Sequence, residues 1–151
     1  MSGSARPIWQ ERFPHACDWD APIGTGTVPQ LLDAPVAATP DAKAFAFRDR
    51  ELSYAEFDAL VALLAGGLMA DGVKPGDRVA LLLPNTLWHP IAFFAIARCG
   101  ASVVHLSALD APRELEHKLK VTKPLRLVTT NLPGFLPHAL KLLDGGLVPR
   151  L

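Results

Sequence analysis

The sequence predicts an α/β fold: a partial, mostly parallel sheet with flanking helices. Three observations carry the expectation. Arg78 to Leu83, Ser102 to Leu106 and Leu125 to Thr129 are short apolar runs of strand length, continuous rather than alternating, as in strands covered on both faces. Each is followed by a stretch with helical spacing. The intervening segments are long enough for the crossover helix that parallel neighbours need.

Residues 1–42 read as an extended, proline-rich arm. Pro7, Pro14, Pro22, Pro29, Pro35 and Pro40 fall there with Gly24 and Gly26. Each proline removes a backbone donor and restricts its predecessor, so only a short helical turn around Val28 to Leu32 is expected. Trp9, Phe13 and Trp19 are placed to pin the arm to a surface.

Residues 43–151 carry the α/β pattern. Ala44 to Phe47 and Leu52 to Tyr54 flank the charged Arg48-Asp49-Arg50-Glu51, which predicts a hairpin. Ser53 followed by Glu56 is a capping box, so a helix starts at Tyr54; its apolar stripe is Phe57, Leu60, Val61, Leu64 and Leu68, and Gly72 ends it. Lys74-Pro75-Gly76-Asp77 is a turn into the first parallel strand, which Pro84-Asn85 stops. A helix over Thr86 to Arg98 ends at Gly100, and after the second strand Pro112 opens a helix carrying Leu115 and Leu119. Phe135 to Leu143 makes the last helix, and Leu147-Val148 reads as a strand that has barely begun, so the chain stops in mid-architecture.

Fifteen Lys and Arg balance fifteen Asp and Glu, giving zero net charge and none of the basic excess that a phosphate backbone requires; nucleic acid is not an expected partner. No apolar stretch is long enough to span a membrane, and the first ten residues lack a signal-peptide core, so a cytoplasmic protein is expected. Cys17 and Cys99 match neither a disulfide framework nor a metal-binding spacing.

The candidate chemical groups are few. His15, His89, His105, His117 and His138 are scattered singly, without the spacing of a protein-built metal site. His105 stands out, because it lies inside an apolar run near the carboxyl end of a parallel strand, where α/β proteins place ligands. It either lines a pocket or points away from the core, hydrogen-bonded to a neighbouring loop. Gly24-Thr25-Gly26-Thr27 resembles a phosphate loop only superficially, with no preceding strand, no long helix following and no Lys. Gly66-Gly67 suggests close helix packing, Glu114 and Glu116 a solvated face, and Ser53, Ser102 and Ser107 lack a nucleophile elbow. Leu147-Val148-Pro149-Arg150 matches a protease-tag core but reads as native sequence.

Four segments in order resemble the opening of AMP-forming acyl-CoA synthetases, in the adenylate-forming superfamily. They are Leu52-Ser53-Tyr54-Ala55-Glu56-Phe57, Gly72 through Asn85, Arg98-Cys99-Gly100-Ala101-Ser102-Val103-Val104, and Pro112-Arg113-Glu114-Leu115. The first is similar to the family's Leu-Thr/Ser-Tyr-x-Glu-Leu motif and the third to its Lys-Ala-Gly-Ala-x-x-x-Pro motif, and the likeness covers about residues 20–150. The chain departs from the pattern at His105, where the family commonly has Pro, at Cys99, where Ala is usual, and at Lys123-Pro124-Leu125.

The resemblance implies the amino-terminal part of the large domain of an acyl-CoA synthetase, most like bacterial fatty-acid and aryl-acid CoA ligases. In that family a carboxylate attacks the α-phosphate of ATP, with magnesium assisting; CoA thiolate then displaces AMP from the acyl-adenylate. The phosphate loop, the adenine and ribose motifs and the mobile carboxy-terminal domain with its catalytic Lys all lie beyond the equivalent of Leu151. No residue here matches a catalytic, cofactor-binding or metal-binding position, so this piece alone is expected to be inactive; ATP, Mg2+ and CoA belong to the parent. Its partners would be the remainder of the parent chain or a second copy. The competing reading is a stand-alone, non-catalytic interaction or regulatory module whose sheet a partner completes. A flavodoxin-type nucleotide-binding domain shares the architecture but lacks a phosphate loop here.

Overall fold

Over Ile8, residues 21–22 and residues 24–151, which a computed structural model describes, the elements alternate largely as the apolar pattern requires. In order they are α1 (Gln30–Ala38), β1 (Lys43–Phe47), β2 (Arg50–Ser53), α2 (Tyr54–Ala70), β3 (Arg78–Leu82), α3 (Trp88–Arg98), β4 (Ser102–His105), α4 (Pro112–Thr122), β5 (Arg126–Thr129) and α5 (Leu136–Asp144). Trp9, Phe13 and Trp19 lie outside the described residues.

The first correction is α1, nine residues long with Pro35 inside it, where a single turn was expected. Proline forgoes the bond to the preceding turn. Packing compensates: Leu32 is buried in the core and Val36 lies against it, and the chain leaves the helix with the Thr39 N–H donating to the Pro35 carbonyl at 2.8 Å. The hairpin is also tighter than expected. Phe47 pairs with Arg50, leaving Arg48 and Asp49 as the turn, with Arg48 left-handed at a φ of 55°.

Local hydrogen bonds define α2. The Glu56 N–H donates to Ser53 Oγ at 3.2 Å while the Ser53 N–H donates to Glu56 Oε2 at 2.8 Å, the reciprocal box the sequence predicts. Ser53→Ala should therefore lower stability by about 1 kcal/mol. Urea unfolding followed by circular dichroism checks this, and a change below about 0.3 kcal/mol would mean that water replaces the cap. At the other end Gly72 has a φ of 93°; its N–H donates to the Met69 carbonyl and that of Val73 to the Leu68 carbonyl, each at 3.0 Å. That pair of bonds closes a helix around a left-handed residue, which glycine enters without a Cβ clash.

β3 is the spine. Val79, Ala80, Leu81 and Leu82 are all essentially inaccessible, and alternate side chains enter different cores. Val79 and Leu81 join Phe57, Val61, Ile91 and Ile96, between the sheet and α1–α3; Ala80 and Leu82 join Leu115, Leu119, Leu127 and Ala139, between the sheet and α4–α5. The sheet order is β4-β3-β5, all parallel, with Leu81 paired to His105 and to Val128. From β3 the chain moves to β4 through α3 on one face, then returns past β3 to β5 through α4 on the other. The direction of winding thus reverses between β3 and β5. The expected strand at Leu147-Val148 is not formed: Val148 is buried, and the Arg150 carbonyl accepts from the Leu127 N–H of β5 at 3.0 Å.

Candidate functional site

In open parallel sheets the strand ends where winding reverses leave a crevice, because the connections diverge to opposite faces. Such a groove opens here, about 980 Å³ in volume, past the carboxyl ends of β3 and β5. Leu83, Pro84 and Thr86 line it from β3, Val128 to Leu132 from β5, Leu60, Leu63 and Leu64 from α2, and Trp88 and Ile91 from α3, with the hairpin turn at its rim. Leucines dominate. The polar atoms available are those of Thr86, Thr129, Thr130, Asn131 and the turn residues Arg48, Asp49 and Arg50; Thr129 Oγ1 donates to the Leu82 carbonyl at 3.0 Å.

His105 does not line this groove. It sits at the outer end of β4, exposed, with its ring stacked on His89 (centroids 5.4 Å apart, 8° between planes) and beside Phe93 at 5.8 Å. The loop hydrogen bond expected for His105 belongs to His89 instead, whose Nδ1 lies 3.4 Å from the Leu83 carbonyl. Desolvation, and then the neighbouring His89, hold the His105 pKa below its ordinary value of 6.5. The folded state therefore resists a proton that the unfolded chain accepts. Its contribution is complete above 6.5 and is lost as pH falls through that value toward the folded pKa. The urea midpoint should drop between about pH 7 and pH 5, and His105→Gln should flatten that interval. An unchanged slope in the variant would assign the drop to other groups.

The remaining candidates have structural roles. Cys99 is buried, its Sγ–H donates to the Ala65 carbonyl at 3.5 Å, and burial raises its pKa. Cys17 and His15 lie outside the described residues. Ser53 caps α2, and Ser107 Oγ accepts from the Leu109 N–H at 3.1 Å. Glu114 and Glu116 pair with Lys118 at 3.3 Å and Lys120 at 3.2 Å, the solvated face expected. Asp110, which no local motif marks, is the closer partner of Lys118 at 2.7 Å, and that bond lowers its pKa.

Gly66 and Gly67 overturn the expectation of close packing: both are exposed, and a Cβ at either would meet nothing within 4 Å. A nine-residue helix does follow the Gly24–Thr27 segment, but the Thr27 N–H donates to Gln30 Oε1 at 2.7 Å, so the side chain opening α1 takes that donor. The Gly24–Thr27 segment itself holds no Lys or Arg to meet a triphosphate. Among the described residues no group of three His, Cys, Asp or Glu side chains is placed to hold a metal ion, and no helix is long and apolar enough to cross a membrane.

A parallel sheet with helices on both faces and a crevice where its winding reverses is the arrangement in which open α/β folds bind their ligands. The chain belongs to the AMP-binding enzyme family, whose pattern residues 32–146 match. It is 36% identical over 121 residues to a long-chain-fatty-acid–CoA ligase of Escherichia coli O6:H1, covering 76% of this chain and 21% of that protein. It is 37% identical over 111 residues to enterobactin synthase component F of Escherichia coli O157:H7, covering 72% of this chain and 9% of that one. In fold it is similar to the inhibitor-bound N-terminal domain of FACL13 from Mycobacterium tuberculosis, with a TM-score of 0.75 at 24% identity over 83% of this chain and 33% of the other. The chain thus spans about a fifth of the length of the ligase it matches.

Proposed function

We propose that the chain is the amino-terminal portion of an AMP-forming acyl-CoA synthetase, a cytoplasmic enzyme that joins a long-chain fatty acid to CoA while ATP is converted to AMP and pyrophosphate. The observation that supports this best is the 36% identity to a long-chain ligase over 121 residues. In this reading residues 43–151 are the incomplete first subdomain of the large domain, residues 1–42 precede it as an arm, and no catalytic group is contributed by the 151 residues themselves. Their role is to supply the scaffold, two apolar cores about β3, against which the reactive pockets of the whole protein are built.

The test is pyrophosphate release with ATP, Mg2+ and CoA, comparing the 151-residue chain with the product of its full reading frame over fatty, aryl and amino acids. Turnover of hexadecanoate by the full product, with none by the chain alone, is the expected result. Preference for an amino or hydroxybenzoic acid would move the protein toward the peptide-synthetase side of the family. A reading frame that stops at Leu151, with turnover absent, would favour the non-catalytic module.

A further inference from the structure

The carboxyl end of β4 carries a pair of titratable side chains that stand apart from the crevice lining. We propose that His89 and His105 form a proton-operated latch. Stacked while both rings are neutral, they hold the end of β4 and the Leu106–Asp110 loop in place, and acid releases them. The device goes beyond the synthetase reading and does not depend on it.

Alternation along β4 sends Val103 and His105 to the face covered by α3. There His89, half-buried in the first turn of α3, meets His105 ring to ring at 5.4 Å, and Phe93, one turn further along, lies against the same ring at 5.8 Å. The helix is fixed from behind, since Ile91, Ala92, Ala95 and Ile96 are buried in the core. β4, by contrast, is an edge strand about to leave the sheet. His105 pairs with Leu81, and the next N–H, that of Leu106, donates to the Leu81 carbonyl at 2.9 Å and closes the strand. Beyond it the bonds are local: the Ser107 N–H donates to Asp110 Oδ2 at 3.0 Å, the Leu109 N–H to Ser107 Oγ at 3.1 Å and Lys118 Nζ to Asp110 Oδ2 at 2.7 Å. The histidine stack joins this end of β4 to α3.

The surrounding charges make the contact sensitive to protons. Two imidazolium rings 5.4 Å apart repel, and the amino end of α3 disfavours a cation at His89. Among the described residues no salt bridge reaches either ring. Asp33 of α1 and Asp58 of α2, on the same face, are both within 4 Å of Arg98 of α3; Arg78 stands at the opposite end of β3 and donates to the Thr122 carbonyl. Asp110 of the loop is bound by Lys118, which lowers its pKa, so that carboxylate stays ionised while a histidine titrates. Burial, and then His89, hold the His105 pKa below 6.5, so the stacked form resists a proton that the released form accepts. Stacking keeps its full advantage above 6.5 and loses it as pH falls through that value toward the folded pKa.

The experiment follows amide hydrogen exchange and the histidine ring resonances in NMR, on the product of the full reading frame, from about pH 7.5 to about pH 5. After correction for its intrinsic pH dependence, exchange at Leu106, Ser107 and Leu109 should speed by about threefold or more over that range, with β3 unchanged. His105→Phe keeps a flat ring for His89 and Phe93 to stack on but takes no proton, so its loop should stay closed throughout. His105→Gln removes the ring, and its loop should exchange fast at every pH. In His89→Gln the titration of His105 should move up toward 6.5, because one of the two causes of its shift is gone. An acid response that survives intact in His105→Phe overturns the proposal, as does a closed loop in His105→Gln. Loop exchange indifferent to pH in the unsubstituted protein, or speeding equally along β3, also overturns it. His105 is exposed, so its variants should fold; the His89→Gln titration tests the pairing without them, and a His105 midpoint that does not move rejects it.

Discussion

Phe57→Ala is expected to destabilise the chain by about 3–5 kcal/mol, enough to remove a large part of the stability of a domain this size. Phe57 is fully buried at the meeting point of three elements. Its ring centroid is 4.6 Å from that of Phe45 in β1 and 5.7 Å from that of Phe94 in α3, the second pair edge to face. Truncation removes the apolar transfer energy of the ring and also leaves a cavity. Val61, Ala65 and Ile96 line the same core from helices whose positions are fixed by the sheet, so collapse into the gap is limited. Phe57→Leu retains much of the volume and should cost roughly half as much or less. Urea unfolding by circular dichroism and by fluorescence gives both values. Equal losses for the two variants would show that ring contacts with Phe45 and Phe94, rather than cavity volume, set the cost.

What the sequence reveals follows the range of the interactions that set each feature. The capping box of Ser53 and Glu56, the closure at Gly72 and the Pro112 start of α4 are bonds or constraints within five residues, and they stand where the spacing put them. The same holds for β3, whose two-sided burial is written in its unbroken apolar run. Contacts made by topology are different. Arg126 in β5 binds both the carboxylate and the carbonyl of Asp71, and Arg150 joins the same carboxylate; Arg98 reaches Asp58 at 2.6 Å. No local spacing relates residues 55, 79 or 40 positions apart. Once formed, the Asp71 cluster lowers the carboxyl pKa and ties α2, β5 and the segment after α5 together.

The errors have the same origin. Pro35 lies within α1 because Leu32 has a core to enter, and Gly66-Gly67 lacks the neighbour that its composition suggests among the described residues. The crevice itself depends on the order β4-β3-β5, which the apolar runs leave open, since either side of β3 was available to β5. A strand-end position makes His105 a candidate, yet the groove forms between β3 and β5 while His105 ends β4, on the far side of β3.

Gly100→Ala should cost about 3 kcal/mol, more than a glycine replacement at a turn ordinarily does, because two penalties coincide. The φ of 70° lies in the left-handed region, and an added Cβ would sit 3.1 Å from Pro75 Cβ, 3.3 Å from Pro75 Cγ and 3.4 Å from its Cα. Pro75 has little freedom to withdraw. The Gly76 N–H donates to the Gly100 carbonyl at 2.9 Å, the Lys74 N–H to Asp77 Oδ2 at 2.7 Å, and the Ser102 N–H to the Asp77 carbonyl at 2.8 Å. The turns leading into β3 and β4 are thus bonded to one another, and parting them by even a few tenths of an ångström would strain the pairing of Arg78 with Ser102 that starts the sheet. Gly72→Ala provides the control. Its φ of 93° carries a comparable backbone penalty, but the nearest atom to its Cβ is the tip of Arg126 at 4.0 Å, which can move. That variant should lose only about 1–2 kcal/mol. Paired denaturation measures the difference, and equal losses at the two glycines would reduce the contact with Pro75 to an energetically neutral one. A larger loss at Gly100 would give the Arg98 to Val104 motif a physical meaning: its glycine is the point where two strand entries touch, and it stays bare because Pro75 fills the space.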